Sequence, residues 1–272
     1  MLKTYLPQSK ILQNYIEVFY TFKEEKPLNF SYLAFPHVNS GLSFFKGVNI
    51  DRSNYQINIS GKENNKNEIK IEILGKYTIP LLLNYSGKFE EISIVFKPLG
   101  INRFLKNNLI NYTPNYSQEL SVESWNKFSI ELFKSDNPID QLEEFLLSQL
   151  HQNTELDLIA ESLSLIESTE NEFQISEIAE QLNMNIKTFQ RQFKKHVTCT
   201  ASEYKRISKF RNAIQSKLLS KDFKSLTSIS HENNFFDQSY FIKEFKKLSS
   251  SNPKEFFKKV SSMDNKIFWE IH

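Results

Sequence analysis

Residues 175–257 carry one pattern twice in succession. Phe189-Gln190-Arg191-Gln192-Phe193-Lys194-Lys195 recurs as Phe241-Ile242-Lys243-Glu244-Phe245-Lys246-Lys247, displaced by 52 positions. Thr200-Ala201-Ser202-Glu203-Tyr204 recurs as Asn252-Pro253-Lys254-Glu255-Phe256 at the same displacement, and Ile175-x-x-Ile178-Ala179 recurs as Leu226-x-x-Ile229-Ser230 at 51. Three matched segments in one order mark a duplication, in which one supersecondary unit is used twice. The one-residue difference falls between the two short helices expected in each unit, where a turn absorbs it.

Each copy reads as helix, tight turn, helix. In the first, Ser176 is expected to cap a helix whose early turns carry Glu177 and Glu180, favourable against the N-terminal dipole. Ile178, Ala179 and Leu182 form its inner face. Asn183-Met184-Asn185 is the turn, with Asn185 capping the next helix. There Phe189 and Phe193 lie four apart on the buried side, which leaves Lys187, Gln190, Arg191 and Lys194 opposite or flanking. In the second copy Asp237 caps, Phe241 and Phe245 face inward, and Gln238, Ser239 and Lys243 face out. A third helix follows each pair. Thr200 with Glu203 forms its capping box in one copy, and Asn252 before Pro253 with Glu255 does so in the other.

Charge gathers on the same segment. Residues 171–260 hold 17 Lys and Arg against 9 Asp and Glu, a balance of +8, while the rest of the chain stands at −6 for a net of +2. A basic module joined to an acidic remainder is the asymmetry of a chain that meets phosphate with one part only. Paired helices with polar, cationic outer faces suit the major groove of double-stranded DNA. Arg and Lys match guanine edges and Gln matches adenine, with Lys194, Lys195, Lys246 and Lys247 placed for phosphates. Amphipathic helices with solvated lysines would explain either copy alone; the duplication and the local charge favour DNA.

The block resembles the DNA-binding domain of the AraC/XylS family of transcription regulators. The residues that carry the resemblance are Ile178-Ala179, Arg191-Gln192-Phe193-Lys194-Lys195, Thr198 to Tyr204 and Lys209-Phe210-x-x-Ala213. They continue through Leu226-x-x-Ile229-Ser230, Asn234-Phe235-Phe236-Asp237-Gln238-Ser239-Tyr240-Phe241, Phe245-Lys246-Lys247 and Asn252 to Phe256. The resemblance implies a linker helix that holds two recognition helices in successive major grooves, about 34 Å apart. Carried over by position, the base-reading residues are Lys187, Gln190, Arg191, Gln238, Ser239 and Lys243. It also implies RNA polymerase as a partner. Asn234, Thr198 and Ser250 stand where the family has glycine, and Ala201 replaces a proline. β-branched Thr198 is expected to distort the turn after the first recognition helix, making the first unit the weaker reader.

Upstream the period changes. Ile69, Ile71 and Ile73, then Ile92, Ile94 and Phe96, then Tyr55, Ile57 and Ile59 alternate as strands do. Polar breaks are expected at Gly61 to Asn67 and at Asn84-Tyr85-Ser86-Gly87. Beyond Pro98-Leu99-Gly100 the pattern turns helical, with Asn137-Pro138 opening a helix whose face is Ile139, Leu142, Phe145, Leu146, Gln149 and Leu150, and another over Leu156 to Ile166. The expected fold is α+β and multidomain. A small β-sandwich or barrel with trailing helices precedes an all-α domain of two helix-turn-helix units joined by a linker helix. The boundaries are 1–110 for a sensor, 111–168 for a helical connector or dimerisation region, and 169–262 for the DNA-binding domain. Tyr15-Ile16-x-x-Phe19-Tyr20, Pro36 to Phe45 and Ile94-x-Phe96-Lys97-Pro98-Leu99-Gly100 are similar to a sensor subgroup of the family, which implies a cupin-like domain.

Several chemistries lack their residues. His37 is the one histidine in the first 150 positions, too few for a metal-binding barrel, and it reads as a turn or core residue. No Ser–His–acid set and no phosphate-cradling glycine loop can be assembled. The chain therefore reads as a regulator without cofactor or metal, not an enzyme; an enzyme with an accessory DNA-binding tail is the rival from another class. Cys199, the single cysteine, excludes a disulfide framework and reads as a packing residue. No run approaches the ~18 apolar residues of a membrane span, and Met1 to Lys10 lacks the apolar stretch of a signal peptide, so a cytoplasmic location is expected. Phe30, Tyr32, Phe35, Phe44, Phe45, Tyr77 and Tyr85 would suit a pocket for a small organic effector, or core packing. A homodimer and an effector-free regulator both remain open.

Overall fold

Two long strands organise the N-terminal half. The computed structural model describes residues 2–62, 64, 66–168, 173–219, 227–228, 232, 235, 237–263 and 267–271. Along the chain come β1 (Leu2–Tyr5), β2 (Ile16–Ala34), β3 (Ser40–Lys46), β4 (Val48–Ser53), β5 (Gln56–Gly61), β6 (Ile69–Leu74), β7 (Leu81–Phe96) and β8 (Ser117–Glu119). β2 and β7 pair antiparallel nearly end to end, with irregularities at Ile16/Val18 and Glu24/Leu28. On its other edge β7 changes partner, running parallel to β5 over Leu82 to Ser86 and antiparallel to β3 over Glu90 to Phe96. The strands thus join one sheet, and no break occurs at Asn84 to Gly87. The polar residues there stay in the strand because their side chains bond across it. Ser31 Oγ donates to Asn84 Oδ1 (2.6 Å), and Asn84 Nδ2 donates to Asn58 Oδ1 (2.7 Å). Tyr55 is not in a strand; it sits at φ +59° in the β4–β5 turn.

Alternation sorts side chains to two faces. Phe44, Ile71, Ile73, Ile92 and Ile94 pack on one side with Trp125, Leu132, Leu142 and Leu146. These helical residues come from α2 (Glu123–Leu132) and α3 (Pro138–Gln149), which follow the short α1 (Leu109–Tyr112). α3 opens at Asn137-Pro138 and buries Ile139, Leu142 and Leu146, as its pattern predicts. Phe45, Ile57, Ile59, Leu83 and Phe89 face the other way and form a second cluster.

Further helices among the described residues include α4 (Glu155–Glu167), α5 (Ile175–Gln181), α6 (Ile186–Val197), α7 (Ala201–Leu219), α8 (Gln238–Ser249) and α9 (Pro253–Lys259). The β-rich half followed by a helical part is the expected fold class. Unforeseen is the hairpin after α9. β9 (Ser261–Met263) and β10 (Ile267–Ile271) return to the sheet, where Trp269 and Ile271 pair with Ala34 and Tyr32 of β2. No described helix is long and apolar enough to cross a membrane.

Candidate nucleic-acid interface and sensor cavity

α6 and α8 are built alike. Each is 12 residues long and opens on a side-chain cap: Asn185 accepts from Lys187 N (3.0 Å), and Asp237 accepts from Tyr240 N (2.7 Å). Each buries phenylalanines four apart, Phe189 with Phe193 and Phe241 with Phe245. Each ends on a left-handed residue, Thr198 at φ 67°, ψ 5° and Ser250 at φ 60°, ψ 3°. The expected distortion at Thr198 is therefore absent. The two turns match because Thr198 adopts the conformation glycine would, held from outside by a contact from Lys76 N to its Oγ1 (3.4 Å). The cap of α5 also differs from expectation. Ser176 lies inside the helix, and Gln174 forms a capping box with Glu177, whose carboxylate accepts from Gln174 N (2.6 Å). The capping box at Thr200/Glu203 forms as read, and at the start of α9 Asn252 caps by accepting from Glu255 N (3.0 Å).

The expected base-facing residues are all exposed: Lys187, Gln190 and Arg191 on α6, and Gln238, Ser239 and Lys243 on α8. The two sets are unequal. Gln190 corresponds by position to Ile242, which is half-buried against the core around Phe245. Tyr240, outside the expected base-reading set, is 44% exposed beside Ser239. Lys194, Lys246 and Lys247 are exposed, whereas Lys195 Nζ is held by Glu155 Oε2 of α4 at 2.7 Å. His196 is buried, and burial pushes its imidazole below the usual range, so it adds no charge there. Leu226, Ile229, Ser230, Asn234 and Phe236 lie outside the described residues.

The last turn of α6 docks on the N-terminal half. Asn102 Nδ2 donates to His196 O (3.0 Å). A Cβ on Gly75 would stand 2.8 Å from Thr113 Oγ1, too close to fit, while Thr198 Oγ1 packs beside the same position at 3.4 Å. α9 docks too, with the Phe256 ring 4.7 Å from that of Phe35.

Between the sheet and α7 lies a cavity of about 300 Å³. Its lining includes Phe30, Tyr32, Tyr77 and Tyr85 from the expected aromatic set, with Glu91 and Arg211 besides. Glu91 is buried; Oε1 accepts from Tyr20 OH (2.9 Å) and Ser93 Oγ (2.7 Å), and Oε2 from Tyr85 OH (3.0 Å). Burial holds its carboxyl above the ordinary carboxylate range, partly opposed by these donors. Arg211 enters from α7, and burial pulls its guanidinium down to about 9. His37 lines the same space and closes a turn, its Nδ1 accepting from Asn39 N (2.8 Å). Cys199 is buried, which pushes its thiol up to about 12 and suits packing.

Residues 178–259 match the family model described as a helix-turn-helix domain. They form an AraC-type DNA-binding domain. The chain is accordingly a DNA-binding protein of the transcription-regulator class. Residues 3–117 match a domain of unknown function (DUF6597). Among curated proteins none matches the chain. Solved structures give distant likenesses. ToxT from Vibrio cholerae is 11% identical over 94% of this chain and 98% of that one, at a TM-score of 0.44. Wild-type ToxT from V. cholerae strain SCE256, solved with an unsaturated fatty acid bound, is 14% identical over 87% and 92%, also at 0.44. The C-terminal domain of the response regulator yesN from Fusobacterium nucleatum is 21% identical over 39% and 98%, at 0.34.

Arg211 belongs to the linker helix of the AraC-type domain yet lines the N-terminal cavity, and sequence reasoning missed it along with Glu91. Glu91 carried little signal, since it sits out of phase with Ile92 and Ile94 and beside Glu90, where a carboxylate reads as solvated. Arg211 carried none, because one arginine on an amphipathic helix reads as solvated.

Proposed function

We propose that the chain is a sequence-specific regulator whose α6 and α8 enter successive major grooves, with a small organic ligand or dimerisation modulating the binding. Lys187, Gln190 and Arg191 read bases from α6, and Gln238, Ser239 and Lys243 read them from α8, while Lys194, Lys246 and Lys247 meet phosphates. Residues 1–110 act as the sensor, 111–168 as a connector or dimer seam, and 169–262 as the DNA-binding domain. It works in the cytoplasm beside RNA polymerase and performs no catalysis. What supports this reading is the matched pair of helices, equal in length and caps, each with buried phenylalanines behind an exposed polar face. The cavity, bounded by the sheet and by Arg211 of the linker helix, supplies a place where a ligand would touch both parts.

Genomic footprinting with the full chain tests it. Two protected half-sites one helical turn apart are expected. A single protected half-site would remove one recognition helix from the reading, and no enriched sites would remove sequence-specific binding altogether.

A further inference from the structure

The cavity has a chemical bias of its own. Glu91 is a buried carboxylate whose hydrogen-bond donors are the hydroxyls of Tyr20, Tyr85 and Ser93. Among the described residues no cation pairs with it. Hydroxyls satisfy its lone pairs but leave any net negative charge uncompensated, and a buried charge is costly until an opposite charge joins it. The surroundings add to the same polarity. Phe30 stacks on Tyr85 with ring centres 4.8 Å apart, Tyr32 stands 6.1 Å from Tyr85, and Phe22 also faces the cavity. Aromatic faces carry negative potential and attract cations. Arg211 also lines the cavity, where its charge acts on the Tyr77 hydroxyl.

We propose that this cavity binds a small organic cation, an aryl- or alkylammonium compound, with its ammonium group against Glu91 and the aromatic rings beside it. The remainder of the ligand fills the apolar space toward Ile57, Ile59 and Leu83. A volume of about 300 Å³ is at the small end of ligand sites, which favours a single ring or a short chain. The assignment rests on the effector reading above and names the class of effector.

The test is calorimetric titration of the full-length protein at one pH with phenethylammonium and hexylammonium, against phenethyl alcohol and 3-phenylpropanoate. The ammonium probes are expected to bind about tenfold tighter than the alcohol, with the acid weakest. Glu91→Gln is expected to weaken the ammonium probes about tenfold and leave the alcohol unchanged. Phe30→Leu, which keeps apolar volume but removes a ring face, is expected to weaken them several-fold and serves alone if Glu91→Gln does not fold. Binding of the alcohol or the acid at equal or greater strength overturns the cation assignment while leaving the cavity as an effector site. Binding by none of the four overturns both.

Discussion

The residues with most at stake are those held in one conformation by their neighbours. Ser250 is exposed and left-handed, a backbone state that costs an L-residue roughly 1–2 kcal/mol and glycine nearly nothing. Ser250→Gly should therefore raise stability by about 1 kcal/mol, read as a higher melting midpoint. Thr198→Gly should gain less, since it also gives up the contact with Lys76 N. Arg191 and Lys243 occupy corresponding exposed positions on α6 and α8. If each touches a base edge, alanine at either costs about 1–3 kcal/mol of specific binding. Anisotropy titration at fixed salt decides this, and unchanged affinity in both variants would remove them from the readers.

Between elements, α6 and α8 differ in what surrounds them. Lys195, in the last turn of α6, is engaged by Glu155 of α4, while its neighbour Lys194 is exposed. Each phosphate contact contributes about one unit to the slope of log affinity against log salt. Lys194→Ala should therefore lower the slope by about 1 and Lys195→Ala by clearly less. Equal changes would mean that Glu155 releases Lys195 on DNA. The caps of these helices were legible in the sequence, because Asn185 and Asp237 act on amides two and three residues away. The cap of α5 was misplaced by two residues. Glutamine is a rarer cap than serine, and Gln174 serves through its reciprocal bond with Glu177.

For the whole molecule, the helical part is fastened to the sheet at several places. Asn102 holds the end of α6, Phe35 packs on Phe256, and β10 adds itself to β2 beside Tyr32, Leu33 and Ala34. Tyr32 lines the cavity and Leu33 packs on the core of the second unit, so this edge touches both. Deleting residues 261–272 should expose those backbone groups and lower the melting midpoint. Hydrogen exchange at residues 32–34 should quicken by about tenfold or more, for a loss of local opening free energy above ~1.4 kcal/mol. Unchanged exchange there would show that β10 contributes no protection.

Local rules carried the sequence a long way: periodicity separated strands from helices, the duplication gave two units of one pattern, and short-range caps placed α6 and α8. Such features depend on residues within a few positions of one another, so a single chain read in order displays them. What tertiary structure alone decided depends on partners far apart. Asn84 stays in β7 because Ser31 and Asn58 bond to it, Thr198 keeps its turn where Lys76 and Gly75 meet it, and Glu91 and Arg211 come to one cavity from a strand and a helix far apart in the chain. Burial of a charge is a property of the packed neighbourhood, and no spacing along the sequence encodes it.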